Sequence, residues 1–368
     1  MLPPPFNPLL SVPAFPANRY APLADRLKRL LSTESDVVFV QAEAILALEA
    51  AATSLARQGL VALNIITSPY GGYFGGWLRR GGANVTEVAA EPGRPISIEA
   101  VRTALNAMPR VDLVAMVHAE TSSGILNPLP EIAALVKERG ALLVVDAVAS
   151  FGGHPLDVDG LGIDVCVIGP QKALGGPAGL SIVSISERAW EAMAGAERFS
   201  PSSLSLLDIK ANWLDRGRGA ASGMPSALEF WALEAAVDRL EAEGLSNRTG
   251  RHALAAQASR AALKAMGIAL WVENEAQAST LMTATPVPAG IDPAALIALG
   301  ADLGVAFTPG NGEIRGTLLR LDHTGDRAAF SPVVANVVAY GAALRRLGHA
   351  VDIGAGAAAA AEVYTAKR

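Results

Sequence analysis

The sequence predicts an α/β protein: a large domain built on a mostly parallel sheet flanked by helices, then a smaller C-terminal α+β domain. Two observations carry this. Short runs at residues 37–40, 60–65, 113–118, 142–146, 165–169 and 180–184 are apolar almost throughout, and helical stretches separate them. Strands apolar on both faces, alternating with helices, belong to a parallel sheet covered on both sides. Beyond residue 226 the order changes to two long helices followed by scattered short strands.

The elements follow in chain order. Residues 1–18 are Pro-rich and form an N-terminal arm that lies on a partner or on the chain's own smaller domain. A basic helix at 21–31 opens the large domain, taken as 19–235. Helices fit at 44–56, 73–80, 98–107 and 131–139. The small domain, 236–368, starts within a helix at 226–244. A second helix is expected at 251–266, strands at 268–272 and 280–285, and a helix at 293–299. Strands at 305–308 and 318–322 and a helix at 333–347 complete it. The Ala- and Gly-rich tail from 353 reads as a frayed helix without assigned function.

Composition narrows the function classes. The 368 residues are 51% hydrophobic and 18% charged, with a formal net charge of −5. That balance gives no electrostatic case for nucleic acid. No uninterrupted apolar stretch reaches the roughly 18 residues of a membrane span. The start, Met1-Leu2-Pro3, lacks the features of a signal peptide. The single cysteine, Cys166, allows no internal disulfide. Together these read as a cytoplasmic protein with neither nucleic acid nor membrane as partner. No metal-ligand spacing is present.

The chemistry concentrates in two residues. Asp146 ends an apolar run, and Lys172 follows 26 residues later in Gly169-Pro170-Gln171-Lys172-Ala173-Leu174-Gly175, just past the next run. Both fall at the carboxyl ends of strands, where ligands bind in such sheets. A lone lysine at a turn is ordinarily a surface charge. A lysine and a carboxylate in this setting are what pyridoxal chemistry requires: the amine forms a Schiff base with the aldehyde, and the acid keeps the pyridine nitrogen protonated.

Three segments in order then carry a resemblance. They are His118-Ala119-Glu120-Thr121-Ser122-Ser123-Gly124, Val145-Asp146-Ala147-Val148-Ala149-Ser150-Phe151-Gly152-Gly153, and the Lys172 segment. Together they resemble the class V aminotransferases of fold type I, in the alanine–glyoxylate and serine–glyoxylate group, over roughly residues 20–350. The resemblance implies Lys172 and Asp146 as catalytic residues. It implies Tyr70 stacked on the pyridine face, Thr121 or Ser122 on the ring hydroxyl or its loop, and Gln171 among the cofactor contacts. Arg320, in Leu318-Leu319-Arg320-Leu321-Asp322, matches the family's carboxylate-binding arginine. It further implies a small-molecule amine and a 2-oxo acid as substrates, and a homodimer.

Departures from the family bear on the substrate. Members that bind a phosphate carry a small Ser/Gly loop before the helix that follows the first strand, and backbone N–H groups there hold the anion. Here the loop reads Val40-Gln41-Ala42-Glu43-Ala44, so Ala42 and Glu43 face that end of the cofactor. A glutamate there repels phosphate. The positions of two further phosphate donors are Ala221 and Met224, which offer no polar group. This pattern resembles the subgroup that acts on unphosphorylated pyridoxamine, with Glu43 accepting from the free hydroxymethyl group. The leading expectation is transfer of the amino group of pyridoxamine to pyruvate or a similar 2-oxo acid, with pyridoxal or pyridoxal 5′-phosphate as substrate or cofactor. The alternative is a phosphate-dependent alanine– or serine–glyoxylate type enzyme with a rebuilt phosphate site, and a further one is a pyridoxal-fold binding protein with altered catalysis. Two further departures stand beside these. The family's N-terminal Gly-Pro motif has no copy before Arg19, and Asn311 is uncharged where that subgroup carries a second arginine. A cysteine desulfurase is disfavoured, because Gln171 replaces the histidine before the lysine and Cys166 lies in an expected buried strand. The glycines of Gly71-Gly72-Tyr73-Phe74-Gly75-Gly76 lack the acidic residue of a dinucleotide site.

Overall fold

In the computed structural model, residues 11–195 and 202–366 are described. The first ten residues of the expected arm lie outside them. The rest of the arm packs on the chain itself: Phe15 is buried against Tyr20, Phe230 and Trp231, and the Trp231 indole N–H donates to the Pro13 carbonyl at 2.8 Å.

The strands are β1 (Asp36–Val40), β2 (Val61–Ile66), β3 (Asn84–Ala89), β4 (Leu113–Val117), β5 (Ala119–Glu120), β6 (Ile125–Leu126), β7 (Leu142–Asp146), β8 (Val165–Ile168), β9 (Ser181–Ile185), β10 (Met282–Pro286), β11 (Phe307–Pro309) and β12 (Leu318–Asp322). Seven of them form one sheet in the order β1-β9-β8-β7-β4-β2-β3, and β9 alone runs antiparallel to its neighbours. Most of its strands are buried on both faces, as the apolar runs predict. Edge strand β3 was not expected. Its sequence Asn-Val-Thr-Glu-Val-Ala alternates and stays largely exposed, so it lacks the continuous apolar signal.

Helices cover the sheet. Ala44–Leu55 follows β1, Pro69–Arg80 follows β2, Ile98–Ala107 follows β3 and Leu129–Glu138 precedes β7. The helix Pro69–Arg80 begins four residues before its expected start, because Ser68 caps it and Pro69 suits the first helical turn. Its glycines serve packing: a Cβ on Gly75 would lie 2.5 Å from the Asn64 amide nitrogen, so the helix sits tight on β2. The larger core extends from Phe15 to Leu240, the last part contributed by the helix Ala227–Glu243.

A second core spans Ala255 to Ala360. It holds the sheet β10-β12-β11 and the helices Leu245–Ala265, Pro293–Asp302 and Phe330–Arg346. Two expectations are corrected here. Residues 268–272 form no strand: their apolar side chains are buried, but no ladder pairs them beyond the Trp271 N–H to the Ala284 carbonyl, 2.9 Å. The tail is no frayed end. Ile353–Thr365 is a helix capped by Asp352, and Gly356 lies so close to Met266 that a Cβ there would sit 2.6 Å from its Cγ. Small residues let it seat on the helix Leu245–Ala265. Among the described residues, no helix is long and apolar enough to cross a membrane, and no group of three or more His, Cys, Asp or Glu side chains is arranged to hold a metal ion.

Candidate active site

The parallel strands deliver Asp146 and the Lys172 loop to one edge of the sheet. Asp146 is the last residue of β7, in register with Val117 of β4 and Val167 of β8. Lys172 stands in the turn after β8, closed by the Gly175 N–H to the Lys172 carbonyl at 3.0 Å and the Gly176 N–H to the Pro170 carbonyl at 2.7 Å. Gly175 takes φ +72°, which a glycine adopts without strain. Both residues line a cavity of about 300 Å³, together with Glu43, Tyr70, Glu120, Thr121 and Gln171. That is at the small end of ligand pockets, sized for one aromatic ring and a short substituent.

Burial dominates the electrostatics. It pushes Asp146 up to about 6; the Val148 N–H, which donates to Asp146 Oδ1 at 2.9 Å, and the Lys172 charge oppose the shift, and Glu43 adds to it. The Tyr70 phenol is raised, first by burial and then by the charges of Glu43 and Glu120.

Glu43 has two partners. It is the N-cap of the helix Ala44–Leu55, where its carboxylate accepts from the Ile45 N–H at 2.9 Å, and it accepts from Gln171 Nε2, also at 2.9 Å. The chain thus sets its own carboxylate on the positive end of the helix dipole.

The other expected residues divide. Thr121 lines the cavity, but Ser122 is buried behind it, with its hydroxyl on Glu120, and faces a second cavity of about 390 Å³. Ala42 lines a neighbouring cavity of about 410 Å³, alongside Ala221, and its carbonyl accepts from Ser181 Oγ at 2.7 Å. Met224 is almost fully exposed. Arg320 sits in mid-strand of β12 between Ala284 and Thr308 and reaches across to the Thr121 carbonyl. Its Nε is buried with no hydrogen-bond partner among the described residues, and burial lowers its pKa. The guanidinium thus adjoins Thr121 of the cavity wall while its buried Nε keeps an unused donor.

Two residues escaped the sequence reading. Glu120 is buried in the cavity wall, and burial raises it to about 7 against the Thr67, Ser68 and Ser122 hydroxyls that bond it. It stands inside the recognised segment, where the neighbouring hydroxyl residues drew attention instead. Arg248 is buried under the lysine loop. Its Nη1 donates to the Ala173 carbonyl at 3.2 Å and its Nε lies 2.5 Å from Glu243 Oε2. Arg239 grips the Gly175 carbonyl at 2.7 Å, so two arginines fix the backbone that carries Lys172. An arginine in a long helix gives no sequence signal of this kind.

Comparison with known proteins agrees with this geometry. The chain is 37% identical over 350 residues to the pyridoxamine–pyruvate transaminase of Mesorhizobium japonicum, covering 94% of this chain and 88% of that protein. The crystal structure of pyridoxamine–pyruvate aminotransferase from Mesorhizobium loti matches with a TM-score of 0.89 at 35% identity, covering 95% of this chain and 89% of that one. Ureidoglycine–glyoxylate aminotransferase from Bacillus subtilis matches with a TM-score of 0.88 at 26% identity, covering 97% and 94%. The family model for class V aminotransferases matches residues 19–313. A mostly parallel seven-stranded sheet, a lysine and an aspartate at its carboxyl edge, and these likenesses lead to one conclusion: the chain belongs to the class V aminotransferases, enzymes of pyridoxal chemistry.

Proposed function

We propose that the enzyme transfers the amino group of unphosphorylated pyridoxamine to pyruvate or a similarly small 2-oxo acid. The observation that carries this reading is Glu43 at the N-terminus of the helix Ala44–Leu55. In a phosphate-binding site the dipole and free N–H groups of such a helix hold the anion. Here a carboxylate already accepts from the Ile45 N–H, and a phosphate brought there meets like charge. The cavity wall adds Glu120 and Asp146, so three carboxyl groups face a single lysine. Such a wall favours a cationic, phosphate-free ligand.

The residues fit the ring of a pyridoxal compound. When bound, that ring supplies an electron sink for the bond changes at the amine carbon. Asp146 holds a proton on the ring nitrogen, and its raised pKa matches a group that shares one. Tyr70 would cover the ring, and Lys172 Nζ would stand at the aldehyde side and carry the proton between the two carbons that exchange the amine. Glu43 accepts from the free hydroxymethyl group while Gln171 holds the carboxylate in place. Arg320 orients the 2-oxo acid by its carboxylate. Lys172, Asp146, Tyr70, Glu43, Gln171, Thr121 and Arg320 are therefore the proposed site.

A homodimer accompanies this reading. Leu46, Met224 and Leu228 are exposed apolar side chains, and Leu46 borders the cavity that Ala42 and Ala221 line. The free, buried Cys166 is in keeping with a cytoplasmic setting.

Incubating the purified enzyme with pyridoxamine and pyruvate tests the proposal. Formation of equal amounts of alanine and pyridoxal supports it. Alanine formed only after adding pyridoxal 5′-phosphate and an amino-acid donor would replace it with the phosphate-dependent alternative.

A further inference from the structure

We propose that Glu120 is a positioning residue for the 2-oxo acid half of the reaction: it anchors the turn on which the Arg320 guanidinium rests, and so sets where Arg320 meets a carboxylate. The inference rests on the reading of Arg320 given above.

The turn is Thr121–Gly124, between the two-residue strands β5 and β6. So short a hairpin has little ladder of its own: the pairs Ala119–Leu126 and Glu120–Ile125, the Gly124 N–H to the Glu120 carbonyl at 3.0 Å, and the Gly124 carbonyl, which accepts from the Ser279 N–H at 2.8 Å. Ser279 holds the Gly124 end of the turn; at the Thr121 end the support is the Glu120 side chain. Thr67 Oγ1 donates to Glu120 Oε1 at 2.8 Å. The direction of that bond is set from behind. Asn127 Nδ2 donates to Thr67 Oγ1 at 3.0 Å and to the Val117 carbonyl at 2.8 Å, while Asn127 Oδ1 accepts from the Ile96 N–H. With its oxygen engaged as acceptor, Thr67 turns its proton to Glu120. Ser68 and Ser122 bond the same carboxyl.

Ser68 is also the cap of the helix that carries Tyr70, accepting from the Tyr70 N–H at 3.3 Å. Glu120 therefore ties the Thr121 turn to the base of the Tyr70 helix. On the other side of that turn, the Thr121 carbonyl accepts from Arg320 Nη1. One contact thus fixes the guanidinium to the turn and leaves Nε unpaired. If the turn shifts, the resting position of Arg320 shifts with it. The Ser68–Tyr70 bond does not involve Glu120, so the ring-covering group keeps its own support.

The test measures the two half-reactions separately in Glu120→Ala, Glu120→Gln and Arg320→Lys enzyme. Hydrogen exchange of segments 119–126 and 67–72 is followed in each. Glu120→Ala is expected to raise the KM for pyruvate about tenfold, the worth of a hydrogen-bonded charged group, with a clearly smaller loss in the pyridoxamine half-reaction, whose cavity Glu120 also lines. Exchange in 119–126 is expected to quicken. Glu120→Gln, which keeps the shape and one carbonyl acceptor, is expected to restore most of the pyruvate KM. Equal losses in both half-reactions, or an unchanged pyruvate KM with faster exchange, would overturn the inference. If Arg320→Lys leaves the pyruvate KM unchanged, the reading of Arg320 fails and the inference with it. If Arg320→Lys raises that KM and neither Glu120 variant does, only the role of Glu120 fails.

Discussion

The cavity and the junction between the two cores both bury titratable side chains, and burial drives both sets toward neutrality. In the cavity, Asp146 and Glu120 are carboxyls raised to about 6 and about 7. At the junction stand four of the chain's five histidines, His118, His154, His252 and His323, all buried and all with lowered pKa values. The difference lies in their partners. The Gly325 N–H donates to His252 Nε2 at 2.9 Å while Nδ1 meets the Arg248 carbonyl at 2.8 Å, so the ring is a neutral tautomer with its proton on Nδ1. His154 Nε2 likewise faces the Thr280 N–H at 3.2 Å. His252 and His154 are thus held by fixed backbone donors, and none of the four rings lines the cavity of Lys172. The carboxyls of the cavity stand beside a lysine, with space for a ligand. A shifted pKa alone therefore does not mark a site; a shifted group facing a cavity and a counter-charge does.

That contrast can be broken at several points. The largest effect is expected from Lys172→Ala, which removes the amine from the cavity. Single-turnover rates with pyridoxamine should fall by about 10³-fold or more, while circular dichroism stays native. Arg320→Lys comes next. Replacing the fork by a point charge should raise the KM for the 2-oxo acid about 10- to 100-fold with little change in pyridoxamine binding, read by steady-state kinetics with each substrate varied. Glu43→Gln should shift the preference between pyridoxal and its phosphate ester toward the ester by about tenfold, since one repelling charge is lost. Spectroscopic titration of the variant measures this.

The smallest effect concerns the junction. His323 is lowered to about 3 by burial, in contact with Thr283 and near Asp322, His252 and Arg260. A histidine with a depressed folded pKa contributes stability that is present above its unfolded value and lost as pH falls toward the folded one. The raised carboxyls act in the opposite sense, their contribution being lost as pH rises through about 6 and about 7. Stability should therefore decline between pH 6.5 and 4 less steeply in His323→Asn than in the parent, as followed by urea midpoints at each pH. Enzyme turnover at neutral pH should change little.

Much of this was legible in the sequence because the main signals are local. Leu142–Asp146 and Leu318–Asp322 coincide with the expected strands: the first is a continuous apolar run ended by a carboxylate, the second a leucine run broken only by Arg320 before its carboxylate. Lys172 follows from its flanking glycines and its distance from Asp146. What stayed hidden depends on contacts across the chain. Glu120 is a polar letter in a two-residue strand, and its importance comes from Thr67, Ser68 and Ser122 closing on it. Arg248 lies 76 residues beyond the lysine whose loop it supports. The tail helix is held by Met266 against glycines and alanines that, read alone, signal low complexity. Ala42 was expected at the cofactor because it adjoins Glu43, yet the helix cap turns the two residues toward different cavities.

The most direct test of the central claim is a titration of the purified enzyme with pyridoxal and, separately, with pyridoxal 5′-phosphate, following the visible absorbance of the lysine-bound aldehyde. The account predicts tight binding of pyridoxal and weak binding of the phosphate ester. Tight binding of the ester in preference to pyridoxal would contradict it.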